Sequence, residues 1–206
     1  MYLVRRQGTN MLRSLAGAAV ILAAVAALPS CAPQATQPVT PVTEWKPYRS
    51  EGGRFSMEAP AEWDITERGG AGGYETTLKA NSSNWIMISQ QLLPPGLESK
   101  ILHSDTRDTA IIEAVQSHYD KLKQTHTDFR GDAPQVTTVA SGMAGYGTFT
   151  CKKKNAFGGA VEFHGFTGLL IGLNYLYVFD AFADAKSSEA VGAAFEHIVT
   201  SFKYED

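Results

Sequence analysis

The side chains in this 206-residue chain that are capable of chemistry are few, and their spacing limits what each can do. His103, His118 and His126 fall along one stretch with Asp105, Asp108 and Asp128 nearby, a mixture of imidazoles and carboxylates that could suit a metal. Yet His118 and His126 are eight residues apart, more than two helical turns, and neither has a histidine at i+4 as a helical zinc pair requires. His164 and His197 stand alone. Solvated or capped histidines are expected, with no metal and no other cofactor. The sequence holds no Gly-x-Ser-x-Gly elbow and no Ser-x-x-Lys. No enzyme activity is expected, although a triad assembled from scattered residues stays open, since geometry rather than spacing defines one.

Three further features admit a chemical reading and a plainer one. Gly69-Gly70-Ala71-Gly72-Gly73 could cradle a phosphate, but such loops open a helix. Here Tyr74-Glu-Thr-Thr-Leu-Lys follows, which is strand-like, so a hairpin turn is expected. Cys151 ends the strand-like run Tyr146–Cys151 with no motif to activate it, and reads as a small packed residue. Lys152-Lys153-Lys154 is the one charge run. It sits at a hairpin end, where it is expected to keep an edge solvated or to meet anionic lipid or a partner.

Cys31 differs from all of these because of what precedes it. Arg5, Arg6 and Arg13 lead into an apolar run from Leu15 to Leu28, then Leu28-Pro29-Ser30-Cys31 and a Pro/Thr-rich stretch. That order resembles a bacterial lipoprotein signal peptide ending in a lipobox, with Leu28 at −3 and Ser30 before the cut. Pro29 at −2 departs from the usual small or aliphatic residue. The run is 14 residues, whereas a bilayer span takes about 20. A cleaved leader is expected; an ordinary signal peptide and a retained anchor are the alternatives, and translation starts at Met1 or Met11. Arg5-Arg6 invites a twin-arginine reading, but Gln7-Gly8-Thr9 lacks the apolar residues that should follow. The resemblance implies a diacylglyceryl thioether on the Cys31 sulfur and a third acyl chain on the new amino terminus. Membrane lipid is then the first partner, held stably because two or more chains anchor where one does not. Ala32 rather than Asp after Cys31 implies, by the sorting rule of enteric bacteria, the periplasmic face of the outer membrane; the inner membrane stays open.

Without residues 1–30 the 18 Lys and Arg lose Arg5, Arg6 and Arg13, leaving 15 against 21 Asp and Glu, a net charge of −6. A mixed, mildly acidic surface argues against a nucleic-acid partner, which would call for a basic patch. Residues 31–44 read as the lipidated cysteine and a semi-rigid tether carrying Pro33, Pro38 and Pro41. Residues 45–206 read as one domain, large enough for its own core.

Period-two alternation predicts strands over 55–60, 63–67, 74–80 and 85–92, the last closed by Pro94-Pro95-Gly96. A helix follows, capped by Asp105 or Thr106, with Ile111, Ile112, Val115, Tyr119 and Leu122 on one face. Four more strands are predicted over 135–140, 146–153, 161–170 and 175–182, with a turn at Asn155–Gly159. Tyr175, Tyr177 and Phe179 alternate with Leu176 and Val178, as in a strand covered on both faces; an exposed binding face is the alternative. A last helix runs from near Asp184 to Phe202 and buries Val191, Ala194, Phe195, Ile198 and Phe202. The fold class is α+β, an antiparallel sheet sandwiched or covered by two amphipathic helices in the order ββββ-α-ββββ-α.

Phe55-Ser-Met-Glu-Ala-Pro60-Ala-Glu-Trp63 resembles the F-S-x-x-x-P-x-x-W start of PsbP-like domains, and Phe195-Glu-His-Ile198-Val-Thr-Ser201-Phe202 is similar to their closing helix. The resemblance spans about residues 48–204 and implies the same α+β fold. Such domains occur in the extrinsic photosystem II subunit, in lipid-anchored cyanobacterial relatives, in Mog-type Ran-binding proteins and in many bacterial lipoproteins. The expected function is therefore a membrane-anchored lipoprotein with a non-enzymatic binding domain and an envelope protein partner. The alternatives are a photosystem II-associated assembly factor, if the source is photosynthetic, and a small-molecule binder or hydrolase using the sheet face.

Overall fold

The computed structural model describes residues 37–70, 73–139, 141–154, 159–172 and 174–205, all within one compact unit, Thr36–Asp206. The leader, the lipobox with Cys31, Ala71-Gly72 of the glycine run and the Asn155–Gly158 part of the expected turn lie outside these residues. In chain order the elements begin with β1 (Trp45–Ser50), β2 (Phe55–Pro60), β3 (Asp64–Gly70), β4 (Gly73–Asn81) and β5 (Asn84–Leu92). Two helices follow, α1 (Leu97–Leu102) and α2 (Ser104–Thr125), then β6 (Thr127–Gly131), β7 (Gln135–Val139), β8 (Gly142–Lys154), β9 (Ala160–Ile171) and β10 (Tyr175–Ala183). The chain closes with α3 (Ser188–Ser201) and β11 (Lys203–Tyr204).

The large sheet runs β3-β4-β5-β10-β9-β8-β6, with β7 also on β8, and every pairing is antiparallel. Its centre is β10, whose side chains are buried on both faces, as the alternation of aromatic and aliphatic residues predicts. Tyr177, Phe179 and Ala181 face a core built with α3, β2 and the Ile86/Ile88 side of β5. Leu176, Val178 and Phe182 face a second core with Val115, Tyr119 and Leu122 of α2. A three-stranded sheet, β1-β2-β11, lies on the α3 side.

An antiparallel sheet with helical cover and few helices is the expected fold class, with four elements added to the predicted order. These are β1, α1, β6 and β11, each six residues or shorter. Segments this short carry too few repeats for periodicity to show. Helix α2 starts one turn earlier than expected, because the Thr106 hydroxyl donates to the Lys100 carbonyl at 2.7 Å instead of capping its own helix. Ile112 is 39% exposed, since its neighbour Ile111 takes the core-facing direction on that turn. Helix α3 starts later, at Ser188, because Asp184–Ser187 form a turn.

That turn is held by a carboxylate. Asp184 accepts from the Asn84 amide at 2.9 Å and from the backbone N–H groups of Lys186 and Ser187 at 3.0 and 3.1 Å. Burial alone would raise the Asp184 carboxyl, but these donors outweigh it and hold it below the usual carboxylate range. A depressed folded-state value stabilises the fold above the unfolded carboxyl range, about pH 4, and that contribution disappears as pH falls below it. Wild-type protein is expected to lose melting temperature below about pH 4 more steeply than Asp184→Asn. Parallel acid limbs for the two proteins in thermal melts would contradict this.

Candidate functional site

The β4 and β5 strands alternate, and their two faces meet different surroundings. Leu78, Ile86 and Ile88 enter the α3-side core. On the other face stand Glu75, Thr77 and Lys79 of β4 with Met87, Ser89 and Gln91 of β5, none of them buried. Helix α2 packs over β6, β7, β8 and β9 and leaves this part of the sheet open. Thr66 and Arg68 of β3 continue the open face to the sheet edge, with Thr66 opposite Thr77 and Arg68 opposite Glu75.

At the border between covered and open sheet sits a buried polar cluster. Met87 pairs with Asp180, and Asp180 with Thr167, along one row of the sheet. The Asp180 side chain is 3% exposed, and His118 from α2 reaches it with Nε2 at 2.8 Å from Oδ1 and 3.0 Å from Oδ2. The Thr167 hydroxyl donates to Asp180 Oδ1 at 2.8 Å. An acid and an imidazole are thus in contact, which is two-thirds of a nucleophilic triad. The Thr167 hydroxyl serves the acid rather than the imidazole, so it does not complete a triad. The arrangement fastens α2 to the sheet.

The other histidines separate. His126 stacks on Phe182 at 5.3 Å between centroids, and His197 stacks on Trp45 at 3.7 Å while its Nε2 meets Glu58 at 2.6 Å. His103 precedes α2 without a side-chain cap bond, and His164 lies on β9. The expectation of solvated or capped histidines is therefore corrected at His118, which is hydrogen-bonded to Asp180 and largely buried. Among the described residues no three His, Cys, Asp or Glu side chains come together as a metal site would need.

Glu67, midway along β3, gathers a second cluster. The Tyr48 hydroxyl makes a short bond to Oε1, and the Tyr74 hydroxyl donates to Oε2 at 2.7 Å. Burial works against the Glu67 charge, but hydrogen bonds from Ser50, Tyr48 and Tyr74 hold the carboxyl below its usual range. This cluster ties the small sheet to the large one. Gly69 and Gly70 end β3 and Gly73 opens β4, so the glycine run joins two strands and opens no helix. Gly73 has φ 137°, and a Cβ there would collide with the Gln90 carbonyl oxygen.

Cys151 is 1% exposed in the α2-side core, and burial pushes its thiol up to about 11. At pH 8 only about one molecule in a thousand then carries the reactive thiolate. Thiol-specific reagent is expected to leave Cys151 unmodified in folded protein and to modify it fully in guanidinium. Labelling of the native domain at the free-thiol rate would contradict that.

A cleft of about 720 Å³ runs between residues 37–44 and the loops 60–63 and 80–81. Its described lining carries two carboxylates, Glu44 and Glu62, and no cation. Residues 37–44 are seated here rather than free: Val39 N–H donates to Ser187 Oγ at 3.0 Å, the Asn81 amide donates to the Gln37 carbonyl at 3.2 Å, and Val39 and Val42 pack on the core.

Solved structures with this arrangement exist. The cyanobacterial PsbP (CyanoP) of Synechocystis sp. PCC 6803 superposes with a TM-score of 0.51 at 11% identity, covering 84% of this chain and 99% of that one. The fold is PsbP/Mog-like. The Ran-binding protein Mog1p of Saccharomyces cerevisiae superposes with a TM-score of 0.52 at 14% identity, covering 79% of this chain and 96% of that one. No protein-family profile matches the sequence, and no curated protein matches it. At such identities the likeness is one of fold. Reading the sequence alone missed the His118–Asp180 pair, whose members are 62 residues apart and meet only through the sheet register.

Proposed function

We propose that this chain is a bacterial lipoprotein, held at the envelope membrane by acylated Cys31, whose PsbP/Mog-like domain binds an envelope protein without catalysing a reaction. The observation that carries the reading is the open β3-β4-β5 face. It presents Arg68, Glu75, Thr77, Met87 and Ser89 on a sheet whose reverse side is a filled core. Mixed polar and apolar side chains on a pre-formed surface suit a protein partner better than an enclosed small molecule. The similar yeast protein carries Ran-binding in its name, so this architecture is compatible with protein recognition. Anchoring adds to the binding, because two proteins held at one surface meet at raised effective concentration. Nucleic acid is a poor fit to a mature net charge of −6.

Two measurements test the reading. Intact mass of the protein extracted from membranes is expected to show a tri-acylated Cys31 as the first residue, and an unmodified thiol there would sink the anchor. Cross-linking in intact envelopes is expected to recover one dominant partner with wild-type protein and to lose it with Thr77→Arg or Ser89→Arg. Equal recovery with all three proteins would remove the open face from the proposal.

A further inference from the structure

The seated segment 37–44 fixes where the described chain leaves the domain. Gln37 is bound by Asn81, and Val39 by Ser187, so the exit lies at the end of the sheet where the 81–84 and 184–187 turns stand. Lys79 pairs with Trp85 in register, Trp85 with Phe182, and the hairpin of β8 and β9 extends past that row at the same end. Five residues lie between Cys31 and Gln37, so the two stand at most about 20 Å apart when that stretch is fully extended. A lipidated Cys31 therefore keeps this end of the domain within about 20 Å of the headgroups.

The side chains at this end suit such a neighbour. Trp85, partly exposed, stacks on Phe182 at 5.0 Å, and Lys153 Nζ lies 5.9 Å from its ring centroid. Among the described residues Lys79, Lys153 and Lys186 make no ion pair, although Asp64 faces Lys79 in register. Two of the acids here are engaged, whereas Asp64, Glu162 and the adjoining cleft's Glu44 and Glu62 make no ion pair among the described residues. Asp128 pairs with Lys152 at 2.9 Å, Asp184 is spent on its turn, and Glu162 stands opposite Lys152. A tryptophan flanked by free lysines is the composition that settles at a membrane interface, the ring at headgroup depth and the ammonium groups on phosphates.

We infer that the Trp85–Lys153 corner, with Lys79 and Lys186, docks on the anionic phospholipid surface to which Cys31 ties the chain. This rests on the lipid anchor proposed above. Docking orients the domain, turning the Trp85 end to the bilayer.

The full lipidated protein, reconstituted in vesicles of phosphatidylglycerol or of phosphatidylcholine containing brominated lipid, tests it. Tryptophan quenching is expected in phosphatidylglycerol, to be weaker in phosphatidylcholine, and to fall in Trp85→Phe to the level left by Trp45 and Trp63. Lys153→Glu is expected to lower the docked-to-free ratio at least about five-fold, the effect of one basic side chain at an anionic surface. Intact mass of the same preparation reads the anchor separately. An unmodified Cys31 overturns both proposals. Lipidated protein whose quenching is equal in the two lipids, or unchanged by Trp85→Phe, overturns the docking corner and leaves the anchor standing.

Discussion

Asp180→Ala is expected to destabilise the domain by about 3–5 kcal/mol, the cost of leaving two buried groups, the His118 ring and the Thr167 hydroxyl, without the acceptor they share. The change strands His118, whose side chain is 13% exposed and whose Nε2 is committed to the lost carboxylate. It also removes the acceptor of the Thr167 hydroxyl at 2.8 Å, leaving the Phe179 carbonyl at 3.2 Å. For a domain of this size the melting temperature should fall by about 10 °C. The double replacement His118→Leu with Asp180→Leu should recover much of that loss, because apolar groups of similar volume need no partner. Thermal melts of the three proteins decide it. An Asp180→Ala protein that melts within about 2 °C of wild type would show that the pair does not hold α2 to the sheet. Asp180→Asn separates fastening from chemistry. It keeps the shape and one hydrogen bond, so a modest loss is expected without any other phenotype.

Phe202→Ala should be of similar size, about 3–5 kcal/mol, for a different reason. Phe202 is fully buried where α3 gives way to β11. Its ring stacks on Phe55 at 4.9 Å and meets the edges of Tyr177 at 5.0 Å and Phe179 at 4.9 Å. Truncation removes three aromatic contacts with two strands, β2 and β10, and the surrounding β-sheets restrain collapse into the void. Denaturant titration should show an earlier midpoint with an unchanged slope. A midpoint unmoved from wild type would mean that the small sheet is held by its backbone pairing rather than by this ring.

Much of the fold was legible where repetition was long. Helix α2 declared itself through Ile111, Val115, Tyr119 and Leu122, and β10 through nine residues of unbroken burial potential. Boundaries failed where local hydrogen bonding competed, as at Thr106 and at the Asp184 turn. The site was less legible. Nothing in the sequence near His118 marks Asp180 as its partner, because register between β10, β9 and α2 brings them together. The openness of the Thr77–Met87–Ser89 face is likewise set by where α2 stops, which no pattern within β4 or β5 records. Cys151 was read correctly from its strand context, and its thiol needs no activating neighbour to be explained.

Both ends of the domain converge on the same elements. Val39 bonds to Ser187, 148 positions away; Arg49 bonds to Glu205, 156 away; and β11 closes on β2. Folding cannot make these contacts until residues 187–205 are available to residues 39–60. Loop-closure entropy must be met before such distant pairs reward it, so completion of the fold is late and comparatively slow. The centre of the sheet can assemble from neighbouring strands, but the lock waits for the distant segment that carries β11.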